Sequence, residues 1–158
     1  MLSRKMLLIT VYIFLGLVVL ALLILQLKTI LVERDPQQQI FVTGHLPSPL
    51  PNGFYRGSSS IVPKVWIGKT FNLEKMIGIN NFNGGIEHYP FTFYASQSLK
   101  DKQLQVIKID YNQPQNPWWV RFIVDEVVAT DTPSGYLGKI NLRFAGLTFS
   151  VGYFTLTK

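Results

Sequence analysis

The sequence contains no cysteine, and this absence excludes several kinds of site. Disulfide scaffolds, thiolate metal centres and cysteine nucleophiles all need a thiol, so none of them can operate in this chain. Two histidines are present, His45 and His88, and neither has a second histidine at ligand spacing, so no metal site is predicted. The G-x-S-x-G, Walker-type and G-x-G-x-x-G sequences are also missing. The sequence therefore predicts no cofactor and no catalytic activity.

Charged residues are sparse, and the positive ones are dispersed. Lys and Arg number 15 against 9 Asp and Glu, which gives a net charge of +6 without any basic block. Proteins that bind nucleic acids concentrate positive charge on one surface, so nucleic acid is not a predicted partner. A mildly basic domain beside an anionic lipid bilayer is a sufficient explanation of the composition.

A long apolar run dominates the N-terminal part of the sequence. Residues 6–27 carry no charge, and about twenty helical residues at ~1.5 Å each span the ~30 Å hydrocarbon core of a bilayer. A secretory signal peptide has a shorter apolar region followed by an Ala-x-Ala cleavage site, and this sequence shows neither. We therefore predict an uncleaved signal-anchor, which is a single-pass transmembrane helix.

Basic residues near the ends of this run predict its orientation. Arg4 and Lys5 belong to a short tail, residues 1–5, whereas Lys28 and Arg34 on the other flank are accompanied by acidic residues. Positive charge beside a membrane span favours the cytoplasmic side. We predict a cytoplasmic tail and an extracytoplasmic domain anchored in the plasma membrane, with the lipid bilayer as a partner.

Residues 28–52 are polar and rich in proline, and they are predicted to form a stalk. Pro36 disfavours a helical conformation at Asp35, so the membrane helix should end by about Arg34. Prolines at the alternate positions 47, 49 and 51 predict an extended, semi-rigid spacer outside the core. Such a spacer would hold the following domain away from the bilayer.

From Gly53 onward the pattern changes to short apolar segments separated by turns, which is typical of a mainly β domain. Seven or eight antiparallel strands in residues 53–158 predict a small closed barrel, because closure removes the exposed edges of an open sheet. The predicted strands are residues 54–58, 65–71, 77–82, 91–95, 104–110, 127–130, 136–144 and 147–156.

Alternation in the last two predicted strands indicates which side chains are buried. In the first of them Tyr136 and Ile140 share a dry face, whereas Lys139 is predicted to point into solvent. In the second, the odd-numbered positions from Leu147 to Tyr153 are predicted to be buried on one face. A slip of one residue would bury the charged set, so the register is well specified.

Residues 116–125 break the β pattern. Asn116 and Pro117 form a helix-start signal, and the apolar residues after them follow helical spacing. We predict one short helix over an end of the barrel, with a strand as the alternative. Asp125 then lies at the helix end, where solvent or Arg121 is a more ordinary partner than a substrate.

Several short motifs occur in order along the β domain. They are Gly53-Phe-Tyr-Arg-Gly57, Trp66-Ile-Gly-Lys-Thr-Phe71, Ile109-Asp-Tyr111, Tyr136-Leu-Gly-Lys139 and Gly152-Tyr-Phe-Thr-Leu156. Together they resemble a group of small bacterial proteins of uncharacterised function with W-x-GK-x-F and Y-LGK motifs. More loosely, they are similar to GXWXG-type domains. The resemblance implies a calycin-like barrel with a ligand cavity. The membrane anchor is not part of the pattern, and we predict the cell inner (plasma) membrane for it from the anchor itself.

The candidates for ligand binding are aromatic or basic residues: Trp66, Lys69, Trp118, Trp119 and Tyr136. The residues on the same face of the predicted strand as Lys69 are Val65, Ile67 and Phe71, and all three are apolar. The Lys69 side chain can therefore point into the barrel and meet an anionic ligand. Trp118 and Trp119 are predicted to pack into the core at the barrel mouth, although adjacent tryptophans also suit a membrane interface.

Two functions fit this pattern. The first is a membrane-tethered module whose barrel binds a small apolar or amphipathic ligand such as a lipid. The second is a non-catalytic accessory subunit of a larger membrane protein complex, in which the barrel is filled. A cavity larger than ~300 Å³ inside the barrel would favour the first function over the second.

Overall fold

The computed structural model describes residues 4–131 and 135–158, and its centre is a closed barrel of eight antiparallel strands. Each strand pairs with the next one along the chain, and β1 closes the barrel by pairing with β8. The strands are β1 (Gly53–Ser58), β2 (Trp66–Asn72), β3 (Ile77–Phe82), β4 (Ile86–Gln97), β5 (Gln105–Asp110), β6 (Ile123–Ala129), β7 (Gly135–Phe144) and β8 (Leu147–Thr157). The predicted fold class, a mainly β antiparallel barrel behind one apolar helix, is confirmed.

The inside of the barrel is rich in aromatic side chains. We call the buried set the inner core; it consists of Tyr55, Trp66, Phe71, Phe91, Phe93, Ile107, Ile109, Tyr111, Val120, Val127, Phe154 and Leu156. The centre of the Phe71 ring lies 5.5 Å from that of Phe91 and 5.2 Å from that of Phe93. Both pairs meet edge to face, an arrangement that aromatic rings favour.

Two helices precede the barrel. α1 (Arg4–Glu33) is long enough and apolar enough to cross a membrane. α2 (Pro36–Thr43) begins where Asp35 accepts a hydrogen bond of 2.8 Å from the backbone N–H of Gln37. Proline suits the first position of a helix because an N–H there would have no partner inside the helix. The residue that was expected to end the first helix, Pro36, therefore also starts the second.

The two helices cover part of the outer face of the barrel and bury a second set of side chains there. We call this set the outer core; it consists of Val32, Phe41, Leu104, Val106, Val128, Leu137 and Tyr153. α1 also contacts β8 through a hydrogen bond of 3.0 Å from the backbone N–H of Ser150 to the Thr29 hydroxyl. Apolar burial thus attaches residues 28–43 to the barrel, so this part of the predicted stalk packs on the barrel and does not extend away from it.

The segment between α2 and β1 packs on the barrel as well. His45 pairs with Ala129 at the end of β6 through two backbone hydrogen bonds of 3.1 and 2.8 Å. The side chains of Leu46 and Leu50 pack against the inner core. The proline-rich segment is therefore attached to the barrel along its length and does not hold the barrel at a distance.

Lys139 on β7 is buried beneath α2, which corrects the prediction that it points into solvent. The residue is 1% exposed, and its ammonium group donates to Gln38 Oε1 at 3.0 Å and pairs with Asp101 at 3.3 Å. The ammonium group also lies 5.3 Å from the centre of the Phe41 ring, a favourable cation–π distance. The alternation along β7 was correct, but the outer face on which Lys139 lies is covered by a helix.

A bulge in β8 changes which of its side chains point inward. The register of β7 and β8 shifts beside Ile140, and this shift leaves Val151 as an extra residue in β8. Beyond the bulge, Phe154 belongs to the inner core and Tyr153 to the outer core. Tyr153 is therefore buried on the opposite face from the one predicted, whereas Tyr136 and Ile140 pack against the inner core as predicted.

The glycines of the two Gly-Lys motifs lie where a side chain would collide with a neighbouring strand. At Gly68 the φ angle is +147°, and a Cβ atom would lie 2.0 Å from the carbonyl oxygen of Tyr55. At Gly138 a Cβ atom would lie 2.1 Å from the Phe154 ring. The motifs thus mark two close approaches between adjacent strands.

Helical structure within residues 116–125 is limited to one 3₁₀ turn, Val120–Phe122. β6 begins at Ile123 directly after this turn. The predicted helix is therefore too long, and the alternative, a strand, is right for residues 123–125. The strand is favoured because residues 124 and 125 pair with both β5 and β7, which satisfies their backbone groups inside the barrel wall.

Candidate functional site

Four connecting loops lie together at one end of the barrel. Because neighbouring strands run antiparallel, alternate loops fall at the same end. The end that we call the mouth carries residues 59–65, 83–85, 111–122 and 145–146. The opposite end carries residues 73–76 and 98–104, together with the end of β6 at Ala129 and the start of β7 at Gly135.

A cavity of about 540 Å³ extends into the barrel from the mouth. Most of the side chains that line it are apolar, among them Ile61, Phe82, Ile123, Leu142 and Val151. Val65 and Trp119 also line the cavity, and both are about half exposed. These two residues therefore mark the place where the cavity meets solvent.

Four polar side chains from different parts of the barrel converge on this cavity. We call them the polar cluster; they are Lys69 on β2, Asn80 on β3, Tyr111 directly after β5 and Asp125 on β6. Each of the four is buried. Lys69 and Asp125 form an ion pair with a distance of 3.1 Å between Nζ and Oδ2. Trp66, at the start of β2, donates its indole N–H to Asn80 Oδ1 at 3.1 Å.

The donors of the polar cluster are engaged within the barrel. Lys69 has three protons to donate. Their acceptors are Asn80 Oδ1 at 2.9 Å, the Tyr111 hydroxyl and Asp125 Oδ2. The amide group of Asn80 donates to the Tyr111 hydroxyl and to the Tyr89 carbonyl, both at 3.1 Å. The Tyr111 hydroxyl in turn donates to Asp125 Oδ2 at 3.1 Å.

One acceptor of the polar cluster has no partner. Among the residues that the structure describes, no group donates a hydrogen bond to Asp125 Oδ1, although this atom is buried. A buried carboxylate oxygen without a donor is unusual, because desolvation of the atom is then uncompensated. Since Asp125 lines the cavity, a donor group on a bound molecule would satisfy it.

Burial shifts the pKa values of the polar cluster. Burial lowers the pKa of Lys69, and the Asp125 carboxylate opposes this shift. Burial raises the pKa of Asp125, and Lys69 opposes that shift in turn. Burial also raises the pKa of Tyr111 well above its ordinary value, with a further contribution from Asp125. Tyr111 is therefore a neutral hydrogen-bond donor, and the charges of the cluster are limited to the Lys69–Asp125 pair.

Three of the five candidate residues lie at the cavity. Trp66, Lys69 and Trp119 line it, and Lys69 points inward as its apolar neighbours predicted. Tyr136 packs against the inner core and lies outside the cavity lining. Trp118 also lies outside the lining, on the surface beside the mouth.

The prediction that Trp118 and Trp119 pack into the core is wrong. Trp118 is 71% exposed and Trp119 is 51% exposed. The helix that would have turned both rings inward is reduced to the single turn Val120–Phe122, and both tryptophans precede it. The exposed pair is therefore available to solvent or to a membrane.

The sequence interpretation missed three members of the polar cluster: Asn80, Tyr111 and Asp125. The predicted helix put Asp125 in solvent, whereas it lies on β6 and is 3% exposed. On a strand, every second side chain points to the same face, so Asp125 shares its face with Ile123 and Val127. Both of these residues pack in or against the inner core. This period of two is the signal that would have placed the carboxylate inside the barrel.

The site thus combines an apolar cavity with a small number of convergent polar groups, an arrangement typical of pockets for small molecules. The polar cluster holds one ion pair in place and, within the part of the chain that the structure describes, leaves Asp125 Oδ1 as an acceptor without a donor, which a bound molecule could use. No protein-family model, no curated protein and no solved structure matches this chain, so its resemblance to GXWXG-type domains stays a prediction.

Proposed function

We propose that this chain is a membrane-tethered, extracytoplasmic barrel module that binds a small amphipathic molecule, such as a lipid, inside the barrel. The observation that carries the proposal is the cavity of about 540 Å³, which lies within the ~300–1,000 Å³ range of ligand pockets. A filled barrel that acts as an accessory subunit of a membrane complex would need no such space. The cavity therefore supports the binding function over the structural one.

The polar cluster narrows the chemistry of the ligand. The free group is an acceptor, Asp125 Oδ1, so a head group that donates a hydrogen bond, such as a hydroxyl, is favoured. An anionic head group, which the position of Lys69 first suggested, is disfavoured because Asp125 already compensates the lysine charge. The apolar walls then suit the hydrocarbon part of the same molecule. The favoured ligand is a neutral amphiphile with a hydroxyl or amide head.

The membrane location belongs to the same proposal. α1 has the length and composition of a membrane span, and Arg4 and Lys5 at its start favour a cytoplasmic N-terminus. The membrane proposed for this anchor is the inner (plasma) membrane of the cell. A reporter enzyme that works only outside the cytoplasm should therefore be active when it is fused after Lys158, and a reporter that works only in the cytoplasm should be inactive there.

Filling the cavity should abolish ligand binding without unfolding the barrel. Leu142 lines the cavity and is only partly buried, so Leu142→Trp should occupy the space and lower affinity for a long-chain alcohol at least tenfold. The measurement is native mass spectrometry of the full chain in detergent, combined with titration of a C12 alcohol. The matched control is Ile77→Trp, at an exposed position on the opposite end of the barrel. Unchanged binding by Leu142→Trp would contradict a site inside the barrel.

The head group should matter more than the length of the hydrocarbon chain. A long-chain alcohol can donate to Asp125 Oδ1, whereas its methyl ether cannot, and an unsatisfied buried acceptor costs about 1–3 kcal/mol. We therefore expect the alcohol to bind about five- to 150-fold more tightly than the ether of equal length. The fatty acid of the same length, measured at pH 8, should bind more weakly than the alcohol because its carboxylate faces Asp125. Equal affinity for the alcohol and the ether would contradict the role assigned to Asp125.

A further inference from the structure

The path of α1 along the barrel shows which end of the barrel faces the membrane. Ser150 on β8 bonds to Thr29, and Leu147, three residues closer to the mouth, shares a groove with Leu22 and Leu23 of α1. Residues of α1 with lower numbers therefore lie nearer to the mouth. The apolar part of α1 leaves the barrel at the mouth, so a bilayer around α1 lies on that side.

The β7–β8 hairpin reaches the level of the apolar run. This run ends at Leu27, where Lys28 follows. Leu23 lies four residues before that end, which is about 6 Å along a helix. Because Leu147 shares a groove with Leu23, the tip of the hairpin lies at the depth where the hydrocarbon core begins.

Exposed apolar side chains from two neighbouring loops lie together at one side of the mouth. We call them the rim; they are Trp118, Phe122, Phe144 and Leu147. Trp118, Phe144 and Leu147 are more than half exposed, and the ring of Phe122 lies between its neighbours, 6.1 Å from Trp118 and 5.4 Å from Phe144. Tryptophan rings are enriched at the interface of membranes, where an apolar ring and a polar N–H both find partners.

Two arginines accompany the rim. Arg121 and Arg143 line a surface depression together with Trp118 and Phe122. Both arginines are exposed, and guanidinium groups recognise phosphate well. Aromatic rings with arginines directly beside them match the layered chemistry of a bilayer, in which lipid phosphates lie just outside the apolar region.

We propose that the rim is seated in the interface of the bilayer that holds α1, so that the mouth of the cavity faces the lipid leaflet. The occupant of the rim is then the membrane itself, because α1 fixes the position of the hairpin relative to the apolar run. This position of the rim, which we call the seat, does not depend on the ligand. The entry of a ligand rests on the proposed function: if that function holds, an amphiphile can pass from the leaflet into the cavity without crossing water.

Nitroxide labels on single cysteines test the seat, because the chain has no native cysteine. Phe144→Cys and Leu147→Cys report the rim, Val65→Cys reports the mouth, and Ile77→Cys on the opposite end is the matched exposed control. The full chain is placed in phosphatidylcholine–phosphatidylglycerol nanodiscs at one chain per disc. Labels at the rim should collide several-fold more often with oxygen than with a water-soluble nickel chelate, and the control should show the reverse. The label at the mouth should be shielded from the chelate.

Two outcomes would overturn the seat. Rim labels as accessible to the nickel chelate as the Ile77→Cys label would show that the mouth faces water. Rim labels shielded from both oxygen and the chelate would show that a protein surface covers the rim. The same labels in the Leu142→Trp background separate the two proposals, because the seat should persist there although ligand binding is lost. A seat without any ligand bound to the unsubstituted chain would support the inference and reject the binding function.

Discussion

Replacing Lys69 by Met is expected to lower the free energy of unfolding by about 3–5 kcal/mol, because it leaves a carboxylate buried without its cation. Lys69 and Asp125 are each 3% exposed and lie 3.1 Å apart. Asp125→Leu alone should cost a similar amount, because the ammonium group of Lys69 is then unpaired. The measurement is guanidinium denaturation of the full chain in detergent, followed by tryptophan fluorescence. Lys75→Met, at an exposed position, should change stability by no more than about 0.5 kcal/mol.

The variant with both replacements should recover most of this loss.

The pKa shifts of the two residues show why. The pKa of Lys69 is lowered, so the contribution of this residue to stability is present above its ordinary pKa and is lost as the pH falls through the pKa of the folded state. The raised pKa of Asp125 means that its contribution is present at low pH and is lost as the pH rises through the folded value. Burial therefore opposes the charged form of each group, and the attraction between the two charges offsets part of this cost.

An ion pair of this kind is costly to bury. The double variant should be as stable as the unsubstituted chain at pH 7, or up to about 1–4 kcal/mol more stable. Losses that simply add up in the double variant would mean that the two residues do not act as a pair. A double variant that is stable but no longer binds the long-chain alcohol would assign the pair to recognition and not to folding.

Phe41→Ala is the second change with a large expected effect, at about 3–5 kcal/mol of lost stability. Phe41 is fully buried in the outer core, with its ring 6.2 Å from that of Tyr153 and 5.3 Å from the ammonium group of Lys139. Thermal unfolding of the full chain in detergent, followed by circular dichroism, measures the loss. Ile40→Ala, one position earlier and half exposed, is the matched control and should have little effect. Equal losses for both variants would contradict the outer core as described.

The same contacts set the shortest chain that can fold. A chain that begins at Lys28 keeps α2, whereas one that begins at Gly53 exposes the outer core and removes Gln38 from Lys139. The shorter chain should therefore lose at least the stability that Phe41→Ala loses, and it should bind hydrophobic dyes. A chain from Gly53 that is as stable as the chain from Lys28 would show that α2 is dispensable.

The barrel could be predicted from sequence because turns and alternation are local signals. Residues such as Asn83 and Gly146 lie between apolar segments, and the eight predicted segments correspond to the eight strands. The helix predicted from Asn116 was extended too far because its apolar residues suit both helical spacing and a strand buried on both faces. Pairing with β5 and β7 decides the matter for residues 123–125, and that pairing is not visible in the local sequence.

The candidate site was harder to predict because its parts come from distant positions. Lys69 could be placed inside the barrel from its apolar neighbours, but its partner Asp125 lies 56 positions further along the chain. Lys139 shows the opposite error, since alternation put it on the outer face and nothing local indicates that Gln38 and Phe41 cover it. The bulge at Val151 reverses the alternation, and its one local signal is the neighbouring Gly152 inside the strand, which does not show how the register shifts. Local sequence patterns do not show which distant segment covers a residue or pairs with it.

The closure of the barrel between β1 and β8 also determines how late in synthesis folding can be completed. Gly57 on β1 pairs with Leu156 on β8, and Thr29 on α1 bonds to Ser150, 121 residues later. The ribosome therefore releases β8, which pairs with β1 and contacts α1, after every other strand has emerged. Contacts across such long loops form slowly because loop closure costs entropy before it gains contacts. Until β8 emerges, the nascent chain presents a free β1 edge, and an unpaired strand edge is a template for pairing with other chains, so this is when a chaperone would be of most use.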